Sequence, residues 1–325
     1  MNTARMTLMG GIVILLFLGL AACDREASTE QPPPQSQARP DAAPEVTAPA
    51  EVAPNVVQVV TRDFTIEGPE KLPLGWHAFQ FRNEGAQDHF VITYRLSEGK
   101  TIEDQMRGAM KPFEQVMEAL QSGELEKAGI GEALGELLEP WVYENVYTSG
   151  PGLLAPGGET QATIRFDTPG TYLMECYVKS PEGKWHTTMG MLRQFEVVDE
   201  QGGVEEPSTD VEVILSNEGL QAPSSLPAGR TTVRAVIKDN PDSFMPYDVH
   251  LARFDEGADL EALVFWMDWS NVGGLRAPAP VEFLGGVENM PAGNHGYMTV
   301  DLTPGRYIWI SEVNADRMHM VFEVE

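Results

Sequence analysis

From residue 55 onward, apolar and polar side chains alternate in short runs broken by Gly, Pro, Asn and Asp. Such period-two runs put one face toward a core and mark half-buried strands. The runs also repeat. Residues 57–198 and 210–325 carry the same succession of segments. VVQVVTRDFTI answers DVEVILSNEGL, PLGWHAFQF answers PAGRTTVRA, and HFVITYRLSEG from His89 answers YDVHLARFDEG from Tyr247. After an insert in each copy come LLAPGGE against NMPAGN, FDTPGTYLMECYV against VDLTPGRYIWISEV, and MLRQFEVV against MHMVFEVE. The pattern predicts a mostly β chain of two Greek-key β-sandwiches in tandem, each of about seven strands. Their expected extents are 55–200 and 208–325. Tyr172 and Tyr307, each two residues beyond a glycine, sit where corner tyrosines pin a Greek-key connection.

The inserts change period. In the first, Ile102, Met106, Met110, Phe113, Met117 and Leu120 recur at helical steps and share one face. Thr101 with Asp104 three residues on makes a capping-box start, and Pro112 is expected to kink or split the helix. A second short helix is expected near Glu132–Leu138. The methionine stripe reads as the underside of a lid packed on the sandwich. The second insert is shorter, with Leu260, Leu263, Val264 and Met267 on one face before the loop Ser270–Pro280.

The chain has two cysteines, Cys23 and Cys176. Cys23 closes an apolar run from Met9 to Leu20 that follows Arg5, and the ending Leu20-Ala21-Ala22-Cys23 resembles a bacterial lipobox. The run is too short to span a membrane and fits a secretory signal. The resemblance implies a signal peptide over 1–22, cleavage before Cys23 and lipidation of that cysteine. Cys176 is then alone in an oxidising compartment, where no intramolecular disulfide is open to it. Such a thiol is buried and inert, paired between chains, or bound to a metal.

The surroundings of Cys176 resemble the cupredoxins, the plastocyanin-like and nitrite-reductase-like copper domains. NEGAQDHF places His89 six residues after Asn83. PGTYLMECYVKSPEGKWHTTMGM then places Cys176 at a strand end, His186 after Trp185, and Met191 five residues after His186. The resemblance implies a type 1-like copper site with His89, Cys176 and His186 as equatorial ligands and Met191 axial. Two imidazoles, one thiolate and a distant thioether suit one-electron copper chemistry. The resemblance covers 57–198 and, more weakly, 210–325. Three features depart from it. Nine residues separate Cys176 from His186, Phe90 stands where a side-chain amide often follows the first histidine, and Met189 competes with Met191.

The repeat supplies an internal control. His89 corresponds to Tyr247 and Cys176 to Ser311, and the loop that bears His186 is missing from the second copy. Met191 alone survives, as Met318. His77 is expected on an exposed strand face. His250, His295 and His319 lie in the copy that has lost its ligands, so no second, catalytic copper is expected. A Cys176/His186 nucleophile–base pair lacks an orienting group and an oxyanion hole.

Residues 23–54 hold seven prolines and no aromatic or long aliphatic cluster, which predicts a tether from the lipid anchor. At ~3.1 Å per residue it reaches roughly 90 Å. The chain carries 22 Lys+Arg against 49 Asp+Glu, a net charge of −27. That balance excludes nucleic acid as a partner and suits a basic protein. Together these readings give an envelope protein, anchored to a membrane by lipid and facing the periplasm or exterior. It carries electrons or holds copper, is not an enzyme, and has a basic redox partner such as a c-type cytochrome. The competing expectation is a metal-free interaction module on the same fold.

Overall fold

Alternating burial carries the predicted strands through the computed structural model, which describes residues 56–325. The expected signal peptide, lipidated Cys23 and tether lie outside the described residues. The first sandwich is built from β1 (Val56–Arg62), β2 (Thr65–Glu67), β3 (Lys71–Asn83) and β4 (Ile92–Arg95), then β5 (Val146–Ser149), β6 (Glu159–Phe166), β7 (Gly170–Glu175) and β8 (Leu192–Gln201). The second uses β9 (Val211–Ser216), β10 (Gly219–Gln221), β11 (Ser225–Leu226), β12 (Gly229–Ile237), β13 (Val249–Arg253), β14 (Phe283–Val287), β15 (His295–Leu302), β16 (Gly305–Ile310) and β17 (His319–Val324).

β3 serves both sheets of its sandwich. Lys71–Pro73 pairs in parallel with β8, and Gly75–Arg82 then pairs antiparallel with β6. The switch falls at Gly75, whose φ is +120° and whose missing Cβ would stand 2.3 Å from the Gly202 carbonyl oxygen. Only glycine fits that bend. Against expectation His77 is buried, its Nε2 2.8 Å from the Pro73 carbonyl and its ring beside Phe166. Strand alternation alone could not show that the outer face is covered there.

The two copies share their pairing. β1 runs parallel to β3 as β9 does to β12, and β4–β7–β8 has its counterpart in β13–β16–β17. The sandwiches then fuse, because Gln161–Thr163 of β6 pairs antiparallel with Tyr297–Thr299 of β15. One apolar core crosses the junction, joining Phe90, Leu154 and Cys176 to Leu275, Phe283 and Ile310.

The first insert is a lid. A capping box at Thr101 opens α1 (Ile102–Gln105), a π-helical turn follows over Met106–Met110, and α2 (Lys111–Ser122) and α3 (Ile130–Leu137) complete it. Pro112 explains the break, since it has no N–H for the Gly108 carbonyl four residues back. That carbonyl accepts instead from the Glu139 N–H at 3.2 Å. Met110, Val116, Ile130 and Leu134 pack against Tyr94, Leu96 and Leu173 of the sandwich. In the second insert α5 (Leu260–Met267) is capped by Asp259 and buries Leu263 and Met267.

Both corner tyrosines close the same bond. Tyr172 Oη donates to the Thr168 carbonyl and Tyr307 Oη to the Thr303 carbonyl, each at 2.7 Å. Tyr172→Phe and Tyr307→Phe are each expected to cost about 1–1.5 kcal/mol, the worth of one such bond. Urea midpoints would show it, and an unchanged midpoint in either variant would mean that packing alone holds that corner.

Candidate metal centre

Three separate segments bring His89, Cys176 and His186 to one point. His89 precedes β4 and exchanges backbone hydrogen bonds with Leu154, at 3.2 and 2.8 Å. Cys176 follows β7, and its N–H donates to the Met191 carbonyl at 3.1 Å. His186 opens a single helical turn, α4 (His186–Met189). Cys176 Sγ lies 3.6 Å from His89 Nδ1 and 3.8 Å from His186 Nδ1, and all three residues are fully buried.

The far side of each ring fixes which nitrogen faces the sulfur. His89 Nε2 donates to Asp63 Oδ1 at 2.8 Å, and His186 Nε2 donates to Gln87 Oε1 at 3.0 Å. Each neutral ring has one N–H, so both Nδ1 atoms turn lone pairs toward Sγ. Asn83 holds the loop that supplies Gln87, donating to the Gln87 and Leu154 carbonyls at 2.8 and 2.9 Å. Gly85 makes room. A Cβ there would stand 2.4 Å from Asp63 Oδ1 and 2.7 Å from His89 Nε2.

The donor set fits a metal ion better than it fits a proton. One thiol proton can serve only one of the two Nδ1 lone pairs, leaving the other buried without a partner. An ion with bonds of about 2.3 Å to sulfur and 2.0–2.1 Å to nitrogen, at trigonal angles, needs donors about 3.7 Å apart. The observed separations bracket that value.

Burial sets the electrostatics. It pushes the Cys176 thiol up to about 12, although the Phe90 and Val178 N–H groups hydrogen-bond to the sulfur in the opposite direction. Phe90 thus supplies from its backbone a contact that its side chain cannot make. Burial lowers His89, opposed by the Asp63 carboxylate, and pulls His186 down to about 3 with help from the neighbouring His89. For Asp63, burial opposes ionisation, but the His89 hydrogen bond and the Ala86 N–H outweigh it and keep the carboxyl below its ordinary value. The sulfur has no exposed surface.

Met191 is fully buried beside the cluster, its N–H donating to the His186 carbonyl at 3.0 Å, whereas Met189 is half-exposed. The second copy keeps this geometry without the chemistry. The Ser311 N–H donates to the Met318 carbonyl at 2.9 Å, as Cys176 does to Met191, and Tyr247 Oη goes to Asn217. His295 pairs with Glu206 and His319 with the Ala315 carbonyl.

The nine-residue loop between Cys176 and His186 is a braced hairpin. His186 N–H donates to the Val178 carbonyl at 2.8 Å and Ser180 N–H to that of Lys184 at 2.8 Å. Its outer edge is clamped by the second sandwich. Lys179 N–H donates to the Leu275 carbonyl at 2.7 Å, and the Lys179 carbonyl accepts from the Ala277 N–H at 2.8 Å. Its buried Nζ donates to the Trp269 and Asn271 carbonyls at 2.7 and 2.9 Å. Asp63, Gln87 and Lys179 were missed in the sequence. The first two stand close before His89 or in the β1–β2 turn, but nothing in their spacing shows which way they face.

No family model matches the chain, and no curated protein matches it. Solved structures do, at low identity. A multicopper oxidase matches at 15% identity over 82% of this chain and 88% of its own, with a TM-score of 0.24. Auracyanin B matches at 22% over 38% and 92%, with a TM-score of 0.27. An azurin from Methylomonas sp. strain J matches at 14% over 37% and 99%, with a TM-score of 0.29. Scores of this size leave the fold to be argued from strand order and the His–Cys–His geometry. Those define two fused β-sandwiches of matching strand pairing, the first of which gathers His89, Cys176 and His186 into a metal-capable cluster.

The histidine shift has a consequence for stability. The folded pKa of His186 lies below its unfolded value, so its neutral form costs nothing above pH 6.5 and destabilises the fold as pH falls below that. The loss is roughly 1.4 kcal/mol per pH unit down to about pH 3. Urea unfolding of metal-free protein should lose stability over this window, and less steeply in His186→Gln. An identical slope in the two proteins would count against the buried neutral ring.

Proposed function

We propose that this chain is a lipid-anchored envelope protein whose first sandwich binds one copper ion and passes single electrons. The observation that carries this reading is the meeting of two histidine Nδ1 lone pairs on one buried sulfur. His89, Cys176 and His186 would be the strong ligands and Met191 the axial one. Copper, when bound there, supplies a one-electron couple. Asp63 and Gln87 hold the rings in register, while the Phe90 and Val178 N–H groups stabilise negative charge on the sulfur. Because the ligands are anchored at strand ends and beside a braced hairpin, their positions need not change with charge, which lowers reorganisation. Full burial and bracing also favour a carrier that retains its ion over a store that must release it.

Cys23 and the tether would hold the sandwiches at a membrane surface, on the periplasmic or outer side. The net charge of −27 suits a basic redox partner such as a c-type cytochrome. No catalytic step is assigned, since neither the thiol nor the imidazoles are open to a substrate.

The purified full chain is expected to take up one equivalent of copper(II) and develop an intense visible sulfur-to-copper band, which Cys176→Ser abolishes. A copper(I) chelator should remove the reduced ion only slowly, whereas rapid release would favour a store. Colourless protein at one equivalent, with a thiol that reacts only on unfolding, would identify a metal-free interaction module instead.

A further inference from the structure

The second sandwich encloses a polar cluster of its own. Asp248 immediately precedes β13, His250 lies within it, and Glu288 follows β14. The pairing Val249↔Val287 and His250↔Gly286 carries all three to the same end of the sheet. One donor atom from each lies within 4.8 Å of the others, and all three side chains are at most 2% exposed. His250 Nε2 is 3.6 Å from Asp248 Oδ2, and Nδ1 is 3.9 Å from Glu288 Oε1.

The hydrogen bonds are unevenly shared. Asp248 is provided for as an anion, accepting from Ser311 Oγ and the Glu312 N–H at 2.8 Å each and from Asn289 Nδ2 at 3.2 Å. Glu288 has no partner on either carboxylate oxygen, and Asn289 Oδ1 and Glu312 Oε1 have none either. A buried carboxyl without a donor is costly and calls for a compensating positive charge or a proton. Burial, then the Asp248 and Glu312 carboxylates, push Glu288 well above its ordinary range.

We propose that Asp248, His250 and Glu288 form a second metal site, for a divalent first-row cation. Two carboxylates and one imidazole are the hard-to-intermediate donor set that zinc and manganese(II) accept. Leu153 N–H donates to His250 Nδ1 at 3.1 Å, so Nε2 is the nitrogen left for the ion. The cation takes the place of the proton that the neutral ring otherwise carries there. Bonds of about 2.0–2.2 Å set neighbouring donors about 3–3.5 Å apart, so Asp248 Oδ2 already stands close to its place beside Nε2, and the Glu288 carboxyl, held by no hydrogen bond, turns from the Nδ1 side toward it. The site abuts the junction of the sandwiches. Glu312, whose N–H holds Asp248, accepts from Tyr177 Oη at 2.9 Å, and Tyr177 adjoins Cys176.

The test uses the full chain carrying Cys176→Ser and His186→Gln, so that the first centre is removed. Calorimetric titration with zinc(II) is expected to show one equivalent bound and a raised Tm. Adding Glu288→Gln should weaken that binding at least tenfold with an unchanged far-UV spectrum, and His250→Gln should do the same should Glu288→Gln fold poorly. No binding in the starting variant would overturn the proposal, as would binding indifferent to both substitutions. A higher Tm in zinc-free Glu288→Gln without zinc binding in its parent would also overturn it, leaving carboxyls that share protons. The copper band of the otherwise unaltered chain is independent of these results, so either site can fail alone.

Discussion

Two imidazole lone pairs compete for one thiol proton inside a pocket that water does not reach. Most of the first sandwich serves that arrangement. Asp63 and Gln87 take the outer N–H of each ring, and Asn83 fixes the loop that carries Gln87. Gly85 leaves the space in which Asp63 and His89 meet. None of these groups touches the sulfur, yet each decides which nitrogen does. The orienting contacts define the site as much as the donors.

The same constraint gives the second sandwich a part. A nine-residue excursion between Cys176 and His186 has considerable freedom by itself. That freedom is removed by backbone pairing of Lys179 with Leu275 and Ala277, and by its buried Nζ, which donates to two carbonyls. The copy that lost its own ligand loop braces the loop its neighbour kept. Continuous pairing from β6 into β15, with one shared core, makes the brace rigid. Cys176, Tyr177 and Glu312 then run in sequence from the first cluster toward the carboxylates of the second.

Much of this was legible in the chain. Period-two runs and their repetition gave the two sandwiches, and helical steps after Thr101 gave the lid with its break near Pro112. The correspondence of Met191 with Met318, read from register alone, reappears as matching bonds from Cys176 and Ser311. His77 went astray because alternation marks which face a residue takes and not what covers that face. His250 drew no role from the sequence because its copy lacks the counterparts of His89, Cys176 and His186, and only strand pairing places the distant Glu288 against Asp248.

By itself the sequence determined the local periods, the turn and cap residues, and the types and order of the donor groups, because these depend on neighbours within a few positions. Tertiary structure alone decided the ring tautomers, the burial of the thiol, the bracing of its loop and the gathering of Asp248, His250 and Glu288. Each of those is a distance of a few ångströms between residues tens of positions apart, and chain spacing carries no record of such distances until the sheets have formed.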